Sequence, residues 1–190
     1  FRASAGLDVA DQDSVDLIPF YRVHDSRYTI YWPQANGDQS EARMKAERER
    51  LALDALTIDA VAPGEQQPES DHFFKGEDTE AGVHLGRHWR HASGWFSYEL
   101  RDPQRQAKFL RITYFGGDAD RSFEILINGQ TLAEVTLPEG KGADFYHVDY
   151  ELPVEWVREA EEGVLTLKFE AKPGSIAGGI YGVRLLRDKP

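Results

Sequence analysis

The chain holds no cysteine in its 190 residues. That excludes disulfide crosslinks, thiolate chemistry and any cysteine-ligated zinc site. Long apolar runs are missing as well, and none approaches the roughly 20 residues a membrane-spanning helix needs. Positive charge is scarce: Lys+Arg number 22 against Asp+Glu 33, a formal net charge of −11. Nucleic acid is therefore excluded as the main partner, because a phosphate backbone calls for a basic surface. What is present is a foldable balance, with 41% hydrophobic and 29% charged residues, enough for one domain or slightly more around a real core. The first residue is Phe1 and nothing before Leu7 resembles a signal peptide, so the chain is expected to be cut from a longer protein.

Three zones follow one another. Residues 1–35 open acidic (Asp8, Asp11, Asp13, Asp16) and then offer two strand-like runs, Leu17–Val23 and Arg27–Trp32. Tyr28, Ile30 and Trp32 share one face at period two, and Pro19 makes the first run an edge or interrupted strand. The two runs are too small to fold alone and read as the tail of an upstream β domain. Residues 36–56 read as a helical connector. Asp38 followed by Glu41 suggests a capping box, Glu41 and Lys45 an i,i+4 ion pair, and the apolar content (Leu51, Leu53, Leu56) comes late.

Residues 57–190 read as a β-rich C-terminal module. Leu110, Ile112 and Tyr114 alternate with polar residues, as do Phe123, Ile125 and Ile127. Asn128-Gly129 marks a type I′ hairpin returning through Thr131–Leu137. Further strands are expected at Gly94–Leu100, Asp144–Leu152, Val164–Ala171 and Ile180–Leu186, with one helical turn at Pro153–Ala160 carrying Trp156. The fold class is mostly β, an antiparallel β-sandwich preceded by two short strands and one helix.

The chemistry is less marked. No G-x-S-x-G elbow, phosphate-binding glycine loop or H-E-x-x-H is present, and Gly178-Gly179 reads as turn punctuation. The densest acidic cluster, Glu65, Glu69 and Asp71, lies in the stretch Pro63–His72, read as a polar loop bonding its own backbone. A glycosidase pair there is the less favoured alternative. His88 and His91 lie between Gly86 and Gly94 with His84 nearby, and the three read as surface hydrogen-bonders ahead of zinc ligands. Asp118 and Asp120 could offer oxygens to a structural calcium, but a turn in which aspartate caps backbone amides accounts for them better. No catalytic residue, resident metal or cofactor is assigned.

Aromatic residues are the most informative feature, because the apolar C–H face of a sugar stacks on a π-surface. Trp89, Trp95, Tyr146 and Trp156 are the candidates for carbohydrate binding. In Gly94–Leu100 the alternation places Phe96, Tyr98 and Leu100 on one face and Trp95 on the other. Trp89, set in what reads as a polar Arg/His loop, is the best of them.

Leu17-Ile-Pro-Phe-Tyr-Arg-Val-His-Asp-Ser-Arg-Tyr-Thr-Ile-Tyr-Trp32 resembles the end of the conserved region in a bacterial glycoside hydrolase family typified by β-L-arabinofuranosidases. Pro63–His72, Gly94–Leu100 and Ser175–Leu186 resemble the C-terminal module that many members carry. The resemblance implies a jelly-roll-like, galactose-binding-like sandwich appended to a helical-barrel catalytic domain, and export to the periplasm or beyond. It also implies catalysis by a zinc-held cysteine with further cysteines and a glutamate. With no cysteine here, none of those catalytic residues carries over.

The sequence thus points to a non-catalytic accessory domain of a glycoside hydrolase acting on plant polysaccharide. Its expected partners are the upstream catalytic domain of the same chain and an oligosaccharide, with neither nucleic acid nor membrane. Structural packing is favoured over sugar binding. The alternatives are a stand-alone adhesion module and an independent hydrolase built on Glu65–His72.

Overall fold

A computed structural model describes residues 37–137 and 142–190. The chain divides into a unit ending at Met44 and a larger one, Lys45–Pro190. Every described strand belongs to the larger unit. The expected strands Leu17–Val23 and Arg27–Trp32 lie outside the described residues.

Helix α1 spans Gly37–Leu56. Asp38 lies in its first described turn. Lys45 pairs with Glu49 at 3.9 Å, and Arg50 holds both Glu47 at 2.6 Å and Asp54 at 2.8 Å. Residues 38–50 are exposed all round, the pattern of a helix held by side-chain pairs rather than by an apolar face.

Ten strands follow: β1 (Thr57–Val61), β2 (Lys75–His84), β3 (Arg87–Arg101), β4 (Phe109–Phe115), β5 (Arg121–Ile127), β6 (Gln130–Leu137), β7 (Phe145–Glu151), β8 (Val164–Ala171), β9 (Ala177–Ile180) and β10 (Gly182–Leu186). Two six-residue helices interrupt them, α2 (Gln66–Asp71) and α3 (Val154–Glu159). Every pairing is antiparallel. One sheet runs β1-β10-β4-β7, and the other runs β2-β3-β8-β5-β6 with β9 added against β3. The chain is the mostly β, antiparallel sandwich that the alternation pattern demands.

The core confirms the period of two. Phe96, Tyr98 and Leu100 on β3, Leu110, Ile112 and Tyr114 on β4, and Phe123, Ile125 and Ile127 on β5 are fully buried. Each such side chain contributes about 1.5–3 kcal/mol by leaving water. Phe96 stacks on Phe169 of β8 at 4.8 Å between centroids. The Asn128-Gly129 hairpin forms as expected, with φ of 50° and 79° at the two central residues, the signs a type I′ turn requires.

Two stretches depart from the sequence reading. Pro63–His72 is not a simple loop, because its middle coils into α2 and buries Glu69. Arg87–Ser93 is not a loop either; it extends β3 and pairs with β2 from Val83↔His88 to Thr79↔Ala92. Its polar side chains hide the strand from any hydropathy pattern. Gly178-Gly179, expected in a turn, lies within β9. Immediately after it, Tyr181 is the crossing point between sheets. Ile180 still registers with Arg90 of β3, while the Tyr181 N–H already donates to the Thr113 carbonyl of β4 at 2.9 Å.

Candidate functional site

That crossing forms one wall of a cavity of about 310 Å³ at the end of the sandwich, lined by Val83, His84, Trp89, His91, Phe115, Asp118, Arg121, Gly179 and Tyr181. The size suits a small ligand. The β2–β3 hairpin supplies one side, the end of β4 with the turn into β5 a second, and the β9–β10 junction the third.

The aromatic wall is set by two adjoining strands. Trp89 registers with Gly82, and a Cβ on Gly82 would come within 2.6 Å of the indole. The missing side chain lets the indole lie across the neighbouring strand. His91 packs against Trp89 at 4.7 Å, and His84 meets Phe115 edge-on at 4.5 Å. Tyr181 is braced by Phe145 at 4.9 Å, itself covered by the Arg87 guanidinium at 4.5 Å.

The polar floor is an ion pair, Arg121 Nη2 to Asp118 Oδ1 at 2.6 Å. Among the described residues, four buried side-chain polar atoms lack a hydrogen-bond partner: His91 Nδ1, Asp118 Oδ2, Arg121 Nη1 and Asp102 Oδ1. The first three belong to residues lining this one cavity. Such atoms are costly to leave unmade, and their concentration in one place marks a site built for something else to complete. Gly179 makes room for them. A Cβ there would stand 2.1 Å from Asp118 Oδ2 and 3.1 Å from Arg121 Nη1, so no side chain at 179 fits beside the pair.

Burial sets the protonation states. It raises the Asp118 carboxyl above its ordinary range against the opposing pull of Arg121. It lowers His91, aided by the Arg121 charge, so the imidazole is neutral at pH 7. His91 Nε2 faces Glu80 at 3.5 Å, and with the proton there Nδ1 is an acceptor. Burial, with Asp118 nearby, pushes Tyr181 up to about 12, so it keeps its hydroxyl proton.

Of the sugar-stacking candidates, the cavity gathers only Trp89, and from a strand rather than a loop. Trp95 does face away from the core, on the other side of β3 from Phe96 and Tyr98. There its Nε1 donates to Glu77 at 3.2 Å and Lys168 sits 4.9 Å over its ring. Tyr146 packs on the core beside Tyr114 at 5.6 Å, and Trp156 of α3 also packs there. Asp118 and Asp120 do not converge: Asp118 joins Arg121, whereas Asp120 takes a positive φ of 55° in the turn. No group of three or more His, Asp or Glu is placed to hold a metal among the described residues. His84 and His91 line the cavity and His88 does not.

The acidic stretch has a structural task. Glu69 accepts Arg90 Nε at 2.6 Å and Nη2 at 2.7 Å, the Tyr98 hydroxyl at 2.7 Å and the Gly64 N–H at 2.8 Å. Asp59 receives the Arg101 N–H at 2.7 Å and lies 3.0 Å from the His72 ring. Both Glu69 oxygens are thus engaged by the fold.

A second, wider groove of about 1130 Å³ runs between α1 and the outer face of the four-stranded sheet. Two of its arginines are held by carboxylates: Arg111 by Asp149 at 2.6 and 2.8 Å, and Arg184 by Asp54 at 2.8 Å, with Thr57 at 2.9 Å.

Sequence reasoning missed Phe115, Arg121, Gly179 and Tyr181. The one signal was the glycine pair Gly178-Gly179, since a Cβ at Gly179 would meet the Asp118 and Arg121 side chains.

These features define an antiparallel β-sandwich with an aromatic-walled polar pocket at one end. The chain belongs to a family of unknown function (DUF6805), whose model matches residues 52–186. Residues 1–34 match the model of a separate domain of unknown function (DUF4986). No curated protein matches the chain. Among solved structures, a family 35 carbohydrate-binding module from an environmental isolate is similar at 13% identity and TM-score 0.48, covering 66% of this chain and 90% of that one. The ANX1 ectodomain from Arabidopsis thaliana is similar at 14% identity and TM-score 0.47, covering 67% and 40%. The GH26-CBM35 β-(1,4)-mannanase of Podospora anserina is similar at 16% identity and TM-score 0.46, covering 69% and 28%.

Proposed function

We propose that the sandwich is a carbohydrate-binding accessory module and that the pocket at its end is the sugar site. The observation that carries this reading is the pairing of an indole wall, Trp89, with three partnerless buried polar atoms on His91, Asp118 and Arg121 in one cavity. A sugar ring is the small ligand that matches both halves, an apolar C–H face for the indole and hydroxyls that donate and accept for the floor. The parent is a longer glycoside hydrolase of the β-L-arabinofuranosidase type acting on plant polysaccharide. Support for that comes from the resemblance of Leu17–Trp32, Pro63–His72, Gly94–Leu100 and Ser175–Leu186. Residues 1–35 then form the tail of an upstream domain, 36–56 the connector and 57–190 the module, with the upstream catalytic domain as partner and the periplasm or beyond as location.

The test is calorimetric titration of the chain with arabinan and pectic oligosaccharides, beside Trp89→Ala. Millimolar or tighter binding, lost in Trp89→Ala while the melting curve is kept, is the expected result. Absence of binding to any plant glycan would overturn it.

A further inference from the structure

The pocket offers unequal numbers of donors and acceptors. His91 Nδ1 and Asp118 Oδ2 are partnerless and can only accept, the first because its ring proton faces Glu80. Arg121 Nη1 is partnerless and can only donate. The positive charge of Arg121 is already matched by Asp118 at 2.6 Å. A ligand that completes the floor must therefore supply at least two donors and one acceptor, and must tolerate a carboxylate at contact distance.

A uronic acid keeps the ring hydroxyls of the matched neutral sugar, but with its carboxylate turned to this floor it fails on both counts. Its ionised carboxyl group has acceptors alone, so it can satisfy Arg121 but neither His91 nor Asp118. It would also bring a second anion beside Asp118 in a partly buried site, where like charges oppose each other strongly. Adjacent hydroxyls meet the demand, because one donates to Asp118 Oδ2 while its neighbour accepts from Arg121 Nη1 and donates to His91 Nδ1. The two floor atoms flank Gly179, standing 2.1 and 3.1 Å from where its Cβ would be, so a pair of neighbouring groups can bridge them.

We infer that the pocket selects a neutral sugar through adjacent hydroxyl groups and rejects the corresponding uronic acid, with the Asp118–Arg121 pair as the discriminating element. This rests on the reading of the cavity as a sugar site.

The experiment is an NMR titration of the full chain with matched methyl glycosides: galactoside against galacturonoside, glucoside against glucuronoside, and arabinofuranoside and xyloside as neutral pentoses. The expected result is that at least one neutral glycoside shifts the Trp89 indole N–H resonance. Where a matched uronoside exists, it binds at least tenfold more weakly. Asp118→Asn, which keeps the shape and removes the anion, narrows that ratio by weakening the neutral sugar and admitting the acid. A uronoside binding as tightly as its neutral partner or more so overturns the selectivity but leaves the sugar site standing. Failure of every glycoside overturns the sugar site itself. The ratio in the unaltered chain decides the matter even if Asp118→Asn does not fold.

Discussion

Glu69 and Arg90 lie 21 residues apart in the chain and meet in a two-point ion pair, Nε to Oε1 at 2.6 Å and Nη2 to Oε2 at 2.7 Å. Glu69 comes from α2 and Arg90 from the part of β3 that bears Trp89 and His91, so the pair pins the small helix to the strand that walls the pocket. Arg90 also covers the Phe74 ring at 4.1 Å and donates to Thr79 at 2.9 Å.

Removing one member should be costly. Glu69→Ala leaves Arg90 without a counter-charge and the Tyr98 hydroxyl and Gly64 N–H without an acceptor. An expected loss of about 3–5 kcal/mol follows from breaking a buried pair, measured by urea unfolding. Glu69→Gln keeps the shape and should lose less. A midpoint unmoved by Glu69→Ala would show that the pair is dispensable.

The same carboxylate sets the acid side of stability. Burial alone would raise Glu69, but the bonds from Arg90, Gly64 and Tyr98 outweigh it and hold its pKa below the usual 4.5. The unfolded chain therefore binds this proton more readily than the folded one. The stabilisation is fully present above pH 4.5 and drains away as pH falls through the lower folded value. Melting temperature should fall with acidification below that point in the unaltered chain, and less steeply in Glu69→Gln.

Gly82 governs the indole. Gly82→Val places side-chain carbon where the Trp89 ring lies, since a Cβ would already be 2.6 Å from it. Sugar binding should drop about tenfold or more by titration, the scale of one lost aromatic contact of about 1.5 kcal/mol. Trp95→Ala should leave the affinity unchanged, because Trp95 lies outside the pocket lining. A binding loss in Trp95→Ala equal to that in Trp89→Ala would move the site to the open face of the sheet.

Binding should also respond to pH in a defined direction. Burial raises Asp118, so it takes up a proton at a higher pH than an ordinary aspartate and ceases to be a pure acceptor. His91 is lowered by burial and Arg121, so it stays neutral until the solution is more acidic than 6.5, the ordinary value. Both effects weaken sugar binding as pH falls from 7 and neither does so on the alkaline side up to pH 9, which titrations at pH 5, 7 and 9 will show.

Much of the sandwich was legible because its inner strands obey one rule. Phe96, Tyr98 and Leu100, or Phe123, Ile125 and Ile127, alternate with polar neighbours, and Asn128-Gly129 supplies a turn that few other dipeptides make easily. Trp95 could be placed outside by parity alone. The hairpin Lys75–Ser93 escaped notice because β2 is exposed along most of its length, with Val83 59% and Leu85 68% exposed at its tip. A strand that buries little writes no alternation. Helix α2 escaped because six residues containing Pro68 carry no helical period, and the bonds of Glu69 to Arg90, Tyr98 and Gly64 that hold it are made outside the helix.

The class of fold is written in the linear order of residues, since period-two burial is a local property that neighbours along the chain display in turn. So is the absence of thiol chemistry, whereas Trp89 is singled out on a loop reading that strand β3 replaces. That His91, Asp118, Arg121 and Gly179 share a cavity with Trp89 emerges only when the sheets are assembled. Those residues come from three separate segments, and the contact between Asp118 and Gly179 spans 61 positions. No local pattern encodes a meeting that depends on β9 crossing from one sheet to the other at Tyr181.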